Sequence, residues 1–285
     1  MSELTELPAA LSGQIELGDR ALVNRLGFGA MRITGPGIWG EPRDLDEARR
    51  VLRRAVELGV NFIDTAHAYG PGVSEELIGE ALSPYADDLI IATKSGLQRG
   101  GPGEWNPDGR PETIRRECEE SLTRLRVETI DLYQLHRIDP DVPLEESLGT
   151  FVELQQEGKV RLIGVSNVSA EELRQAQAVT EIVSVQNRYS LSDRSSDDVL
   201  EICQHEGIGF LPWNPIEGGA LSSADELESV AAAHGATHAQ VALAWLLARS
   251  PMMLPIPGTS SVAHLEENVA AAALELSEEE LAQLS

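Results

Sequence analysis

The sequence is poor in cysteine, and it has no long apolar segment. Its 285 residues include only two cysteines, Cys118 and Cys203, which lie far apart in patterns that look helical. This spacing favours buried free thiols in a reducing compartment over a disulfide. No stretch reaches the ~18 apolar residues of a membrane-spanning helix, and the N-terminus lacks the basic start and apolar core of a signal peptide. We therefore expect a cytoplasmic protein that does not span a membrane.

Basic residues and metal-binding spacings are also scarce. The formal net charge is −25, and only Lys94 and Lys159 are lysines. A nucleic-acid or anionic-membrane partner would require a basic patch, so we expect neither. An acidic, lysine-poor composition fits a high-salt cytoplasm or a GC-rich genome, and the sequence leaves both open. The six histidines show no His-x-x-x-His spacing, and no Cys-x-x-Cys pair occurs. We predict no metal site.

One pattern repeats along the chain: a short apolar run, a polar loop and an amphipathic helix. This alternation predicts an α/β fold with a parallel sheet. The eight apolar runs span residues 26–31, 61–64, 89–93, 130–135, 162–166, 182–186, 209–213 and 252–256. Helices are expected over residues 45–58, 75–82, 111–126, 144–157, 170–178, 197–206, 238–249 and 264–273, and their start signals include Asp44, Ser74 and Pro111.

Eight such strands can close into a barrel or form an open, doubly wound sheet. An open dinucleotide-binding sheet needs a Gly-x-Gly-x-x-Gly turn between a strand and a helix. The nearest approach, RGGPGEW at residues 99–105, precedes no helix at the right distance. We therefore predict a single domain over residues 1–285, a (β/α)8 TIM barrel. The first segment, QIELGDRALVNRL, predicts a β-hairpin around Gly18 and Asp19 that caps the bottom of the barrel.

Four polar side chains fall at or just beyond the ends of three neighbouring runs. Asp64 ends the second run, Tyr69 follows it, Lys94 ends the third run and His136 ends the fourth. In a barrel, the C-terminal ends of the strands carry the active site. Each residue alone also has an ordinary structural explanation, such as a loop hydrogen bond, an ion pair or a packed ring. An unpaired ammonium at the end of the run IIAT would be costly, so Lys94 requires a partner, and Asp64 is the candidate.

The strings NFIDTAHAYG, IIATKSG, DLYQLHRID, IGVSN, VQNRYS and IPGTSSVAHLEEN resemble the aldo-keto reductases, and the resemblance extends over nearly the whole chain. In that family, these positions form a catalytic tetrad, which the resemblance carries over to Asp64, Tyr69, Lys94 and His136. Hydride transfer to a carbonyl carbon leaves negative charge on the oxygen, which needs a proton and nearby donors. Tyr69 is the expected proton donor, and Lys94 is expected to lower the pKa of its phenol. Asp64 would hold Lys94, and His136 would orient the carbonyl.

The resemblance also implies binding of NADP(H), with NAD(H) as the alternative. Ser166, Asn167 and Gln186 match positions that bind the nicotinamide carboxamide, and Trp213 matches the aromatic residue that stacks on the ring. The loop expected to cross the pyrophosphate contains Asn214, Gly218 and Leu221. The segment expected to select the cofactor and contact the adenine contains Gly258, Thr259, Ser260, His264, Glu267 and Asn268. Within this segment, Gly258 and His264 replace a lysine and an arginine that are found in parts of the family. Thr259, Ser260, Ser261 and the N-terminus of the following helix remain as hydrogen-bond donors to a cofactor phosphate.

The expected walls of the substrate pocket are Ile38, Trp39, Trp105 and Arg137. The string MRITGPGIWGEPRD resembles a bacterial branch that includes pyridoxal reductases. The resemblance therefore implies a small-molecule carbonyl substrate such as pyridoxal or another aromatic aldehyde. The alternative is an NADPH-binding module of the same fold that senses redox state with little turnover, although an intact tetrad argues against it. The resemblance favours a monomer.

Overall fold

The computed structural model describes residues 7–18, 21–217 and 225–284. Its strands are β1 (Gln14–Leu17), β2 (Ala21–Asn24), β3 (Phe28–Gly29), β4 (Phe62–Asp64), β5 (Ile90–Ser95), β6 (Leu97–Gln98), β7 (Asn106–Pro107), β8 (Ile130–Leu135), β9 (Val160–Ser166), β10 (Ser184–Gln186) and β11 (Gly209–Phe210). Its α-helices are α1 (Leu45–Glu57), α2 (Val73–Leu82), α3 (Pro111–Leu125), α4 (Leu144–Gln156), α5 (Ala170–Val179), α6 (Asp197–Glu206), α7 (Asp225–His234), α8 (His238–Arg249), α9 (Val262–Ala270) and α10 (Glu278–Gln283).

Seven of the strands form one parallel sheet in the order β3-β4-β5-β8-β9-β10-β11. The eighth predicted run, residues 252–256, closes this sheet into a barrel. On one side Leu254 N donates to Phe210 O at 2.8 Å, and on the other Gly27 N donates to Pro255 O at 2.9 Å. The predicted (β/α)8 barrel is therefore confirmed. The eighth run bridges its neighbours without forming a regular strand, because Pro255 has no N–H to donate to a ladder.

The N-terminal hairpin is also confirmed. β1 pairs antiparallel with β2, from Gln14 opposite Asn24 to Leu17 opposite Ala21. Its inward side chains join an apolar cluster that fills the lower barrel, made of Ile15, Leu17, Ala21, Val23, Phe62, Ile90, Ala92, Leu132, Leu162, Val183, Leu211, Leu254 and Ile256. The hairpin thus covers the end of the barrel where the strands begin. Its turn, residues 19–20, lies outside the described part of the chain.

The barrel interior changes from apolar to polar along the strands. Side chains at alternate strand positions point inward. Gln186 on β10 donates to Asp64 on β4 at 2.8 Å, and these strands are not neighbours, so both side chains point into the interior. The inward positions run from Phe62 to Asp64 on β4, from Ile90 through Ala92 to Lys94 on β5, and from Leu132 to Gln134 on β8. The apolar core therefore lies at the end of the barrel where the strands begin, and the polar groups lie at the end where the strands finish.

Helix α2 begins earlier than the sequence predicts. Its cap is Gly72, in the left-handed region at φ 79°, and not Ser74. The Ser74 hydroxyl is buried, accepts from Thr65 at 2.7 Å and donates to Ala30 O at 3.1 Å. Because this hydroxyl ties the helix to the barrel, it is not used to cap the helix.

Helices α7 and α10 lie outside the predicted set, and α9 ends at Ala270 and not at residue 273. A capping box opens α10, in which the Ser277 side chain and Glu280 satisfy each other's backbone N–H groups. This Ser-x-x-Glu signal is readable in the sequence. Beyond Ala270 the chain tightens into a 3-10 turn, which is a common way for a helix to end.

Cys118 and Cys203 are free and buried. Burial raises the pKa of each thiol to about 12, so both are protonated at neutral pH. In the described residues, no helix has the length and apolar character needed to cross a membrane. The same residues hold no group of three or more His, Cys, Asp or Glu side chains arranged to bind a metal ion.

Candidate active site

A cavity of about 300 Å³ opens at the C-terminal ends of the barrel strands. This volume is typical of a small-molecule site. Its lining includes these residues from the predicted set: Ile38, Asp64, Tyr69, Trp105, His136, Arg137, Ser166, Asn167, Gln186, Trp213, Asn214 and Gly258. The cavity therefore brings together candidate catalytic, cofactor and substrate residues from loops far apart in the sequence.

Lys94 lies at the centre of the candidate catalytic group. It is fully buried at the upper end of β5. Its Nζ donates to Asp64 Oδ2 at 2.7 Å, to the Thr65 carbonyl at 2.7 Å and to the Tyr69 hydroxyl at 3.5 Å. An ammonium has three hydrogens, and these contacts use all of them. The partner that the sequence demands for Lys94 is therefore present, and the ammonium points at the phenol.

Asp64 is held by two further side chains. Its Oδ1 accepts from Gln186 Nε2 at 2.8 Å and from Gln134 Nε2 at 3.2 Å. Gln186 is one of the residues expected to bind the nicotinamide, and here its amide N–H group also fixes the carboxylate. Gln134 is a site residue missed from the sequence, although its position between Leu132 and His136 on an alternating strand points it inward. The two amides hold Asp64 in the position that directs Lys94.

The pKa of Tyr69 does not shift as the sequence suggests. Burial raises it above the usual tyrosine value, the Lys94 ammonium opposes that rise, and the Asp64 carboxylate adds to it. The expected lowering is therefore correct for Lys94 alone and wrong for the net direction, because a buried phenolate loses its hydration. For Lys94, burial acts to lower the pKa, but Asp64 and Tyr69 together raise it above its ordinary value. At neutral pH the phenol is protonated and the ammonium is charged.

His136 faces Tyr69 across the cavity. The two rings are 5.9 Å apart and nearly perpendicular. Burial lowers the pKa of His136 well below its ordinary value, and Lys94, Arg137 and Arg99 lower it further. The imidazole is therefore neutral at pH 7 and carries one N–H group. Its Nδ1 is buried without a hydrogen-bond partner among the described residues, which leaves Nε2 as the nitrogen that can meet a ligand.

The predicted nicotinamide-binding residues form one hydrogen-bonded group. Asn167, in the left-handed region at φ 58°, donates to Ser166 Oγ at 2.9 Å and to the His136 carbonyl at 3.1 Å. Its Oδ1 accepts from the indole N–H of Trp213 at 3.0 Å. Ser166 donates to the Gln186 carbonyl at 2.8 Å. These bonds fix the Trp213 ring and the amide groups at the cavity wall, and connect them to the loop that carries His136.

The segment expected to select the cofactor lies mostly beyond the cavity lining. Thr259 accepts from Ser261 N at 3.1 Å, and the Glu47 carboxylate of α1 accepts from Val262 N at 3.0 Å. The helix N-terminus that the sequence offers as a phosphate donor thus already carries an acidic partner. Of the other predicted residues, Ser260 and His264 are exposed, Asn268 is buried, and Glu267 accepts from Thr237 at 2.7 Å. Gly218 and Leu221 lie outside the described residues.

Arg99 organises the mouth of the cavity. It donates to the carbonyls of Gly37, Ile38 and Ala68 at 3.0–3.1 Å, and also to the carbonyls of Gly101 and Glu104. Its guanidinium lies 3.6 Å from the centre of the Trp105 ring and 5.5 Å from that of Trp39. Trp39 was expected in the pocket wall, but it is not among the lining residues. It supports the wall through Arg99 and through a β-bridge to Gly70.

Several lining residues were missed from the sequence. They are Gly29, Met31, Arg32, Leu97, Pro215, Ile216 and Ile256. Met31 and Arg32 follow β3, the first strand of the barrel. Arg32 lies beside Gly258, because a Cβ built on Gly258 would be 3.5 Å from Arg32 Cγ. The signal that could have found them is position alone, because residues just beyond the strand ends of a barrel face its active-site end.

Comparison with known proteins agrees with this geometry. The Aldo/keto reductase family model matches residues 25–285. An uncharacterized oxidoreductase of Schizosaccharomyces pombe is 49% identical over 277 residues, covering 97% of this chain and 90% of that protein. Pyridoxine 4-dehydrogenase of Escherichia coli is 45% identical over 279 residues, covering 96% and 97%. A Klebsiella pneumoniae aldo-keto reductase solved in complex with NADPH is 30% identical, with a TM-score of 0.81 over 95% of this chain and 93% of that one. The chain belongs to the aldo/keto reductase family of oxidoreductases.

Proposed function

We propose that the protein is an NADP(H)-dependent carbonyl reductase that converts an aldehyde or ketone to an alcohol, with Tyr69 as the general acid. The observation that carries this proposal is the placement of Lys94 Nζ between Asp64, at 2.7 Å, and the Tyr69 hydroxyl, at 3.5 Å. Family membership supports the reaction. The NADPH and NADP complexes of related Klebsiella pneumoniae reductases support the cofactor.

The residues of the cavity fit a nicotinamide group. A carboxamide has two N–H donors and an acceptor oxygen, and Ser166, Asn167 and Gln186 offer hydroxyl and amide groups at the wall. Trp213 offers an aromatic face, and Arg32 offers a cation for a phosphate. When bound, the cofactor supplies the hydride.

Tyr69 and Lys94 would handle the proton. As negative charge develops on the substrate oxygen, Tyr69 donates its proton to that oxygen. The ammonium of Lys94 then stabilises the phenolate that remains. Asp64 keeps Lys94 charged and aimed, because its carboxylate is itself fixed by two amide N–H groups. A phenol that stays protonated at neutral pH, beside a permanent cation, suits this task.

His136 would orient the carbonyl. Its imidazole is neutral because burial lowers its pKa, so Nε2 can donate one hydrogen bond to the substrate oxygen without competing with Tyr69 as an acid. Donors aimed at a developing oxyanion are among the largest contributions to catalysis. Tyr69 and His136 together would define where the carbonyl oxygen lies.

The substrate we propose is pyridoxal or another aromatic aldehyde. Tyr69 and Trp105 line the cavity in addition to Trp213, whose face is assigned to the nicotinamide, although only 4% of the chain is aromatic. Flat aromatic walls favour a planar ligand. The relative at 45% identity is a pyridoxine 4-dehydrogenase, which is compatible with this class.

The test is NADPH oxidation with pyridoxal and benzaldehyde, in wild type and in Tyr69→Phe. We expect Tyr69→Phe to lower kcat by about 100- to 10,000-fold and to leave the Kd for NADPH unchanged. Tyr85→Phe, a tyrosine outside the cavity lining, is the matched control and should keep the wild-type kcat and Kd for NADPH, even though it loses the bond from its hydroxyl to the Leu125 carbonyl at 2.6 Å. Full activity in Tyr69→Phe would contradict the proposed acid. Tight NADPH binding by a wild type that reduces no carbonyl would favour the redox-sensing module.

A further inference from the structure

Most arginines of the chain are paired. With 47 acidic against 22 basic residues, an arginine without a partner is unusual. In the part of the chain that the structure describes, four arginine side chains have neither a hydrogen bond nor an ion pair: Arg32, Arg43, Arg126 and Arg137. Two of these four, Arg32 and Arg137, line the cavity.

The cavity is therefore positive in a strongly acidic protein. Among the lining residues that the structure describes, Asp64 is the only carboxylate, and Lys94 neutralises it at 2.7 Å. Neutral His136 adds no charge. Arg32 and Arg137, both exposed to solvent, remain as cations without an acidic partner among the described residues, at the wall of a site whose chain has a net charge of −25. A local positive field of this kind attracts anions that the rest of the surface repels.

The two arginines lie on different sides of the site. Arg32 adjoins Gly258, in the segment where the cofactor phosphates are expected, and the cofactor accounts for it. Arg137 directly follows His136, on the side of the substrate carbonyl. The acid nearest to it in sequence is Asp139, whose two oxygens accept backbone N–H groups of Gly109 and Asp141, each at 2.9 Å. Because these N–H groups already occupy Asp139, it does not pair with Arg137, whose side chain has no partner in the described part of the chain.

We propose that the aldehyde substrate carries an anionic substituent, a carboxylate or a phosphate, which the Arg137 guanidinium binds. This inference rests on the proposed reductase function and narrows the aromatic aldehydes proposed there to anionic ones, so pyridoxal itself, which has neither group, would not be the preferred substrate. A guanidinium binds either group through two parallel hydrogen bonds. Trp105, which lies 6.5 Å from the His136 ring and is stacked by Arg99, would pack against the aromatic body between the carbonyl and the anion.

The test compares aldehydes that differ in charge at one position: 4-carboxybenzaldehyde, 4-formylphenyl phosphate and the neutral methyl ester of the first. For each, kcat/KM is measured with NADPH in wild type, Arg137→Gln and the control Arg43→Gln, an unpaired arginine outside the cavity. We expect wild type and Arg43→Gln to prefer an anionic aldehyde over the ester by about tenfold. This preference should disappear in Arg137→Gln and shrink as KCl is added. The preferred anion identifies carboxylate or phosphate as the group recognised.

A binding measurement separates this inference from the proposed function. Benzoate has the anion but no carbonyl, and calorimetric titration in the presence of NADP+ should give weaker binding to Arg137→Gln than to wild type or Arg43→Gln. If wild type reduces the neutral ester at least as efficiently as it reduces either anion, the proposed role of Arg137 is wrong, whereas the proposed reductase function is retained. An unchanged preference in Arg137→Gln overturns it as well. If wild type reduces no aldehyde, the proposed function fails, and the inference fails with it.

Discussion

Removing one charge of the Lys94–Asp64 pair should strongly destabilise the protein. Lys94 is 0% exposed and Asp64 is 1% exposed. Lys94→Met leaves a buried carboxylate with only the amides of Gln134 and Gln186, and Asp64→Asn leaves a buried ammonium without its carboxylate partner. Breaking a buried pair from one side costs about 3–5 kcal/mol, because the remaining charge has lost its partner and has no water. In a chain of this size, that should lower Tm by roughly 5–10 °C.

The double variant Asp64→Asn/Lys94→Met decides whether this reasoning is right. It removes both charges, so its loss of stability should be smaller than the sum of the two single losses by about 2 kcal/mol or more. Urea unfolding followed by tryptophan fluorescence measures all four free energies, and equal m-values verify that the unfolded states are comparable. Additive losses of stability would show that Asp64 and Lys94 are not energetically coupled. Single losses below about 1 kcal/mol would contradict the expected cost of breaking the pair. Both single variants should also lose reductase activity.

Two further predictions concern residues around the cavity. Arg99→Gln should raise KM for aromatic aldehydes severalfold without changing the Kd for NADPH, because Trp105 loses the cation stacked on it and the surrounding loops lose hydrogen bonds to their carbonyl groups. An unchanged KM would refute this prediction. Arg115→Gln, at the surface, is the control. Glu47→Gln should tighten NADPH relative to NADH in equilibrium titrations, because it removes a negative charge at Val262 N. If the ratio of the Kd for NADPH to the Kd for NADH is the same in Glu47→Gln as in wild type, Glu47 has no role in cofactor choice. Glu57→Gln, which changes another acid of α1, is the control.

The barrel was predictable because its signals are local and repeated. Asp44 accepts from Glu47 N at 2.8 Å at the start of α1, as a capping residue should. Pro111 occupies the first turn of α3, where a missing N–H costs nothing. The irregular parts were less predictable: Ser74 looks like a cap in sequence but is used for a tertiary bond, and the eighth run contains Pro255.

The candidate catalytic group was also readable, for a different reason. Lys94 ends an apolar run, where an ammonium is intolerable without a partner, so the sequence implies a buried carboxylate nearby. The supporting residues gave no such signal. Nothing in the sequence distinguishes Gln134 from an ordinary polar residue. Arg99 lies in a glycine-rich loop, and the sequence does not show which carbonyl groups the Arg99 side chain will contact.

The sequence by itself determined the alternation of strands and helices, the polar ends of the strands and the family. Each of these follows from local periodicity or from short strings of residues. Only the tertiary structure decided which groups compensate each other's charge. Burial outweighs Lys94 in setting the pKa of Tyr69, Glu47 accepts from Val262 N at the start of α9, and the Arg137 side chain has no partner within residues 7–18, 21–217 and 225–284. Desolvation and pairing depend on distances between residues far apart in the chain, and a linear pattern does not contain those distances.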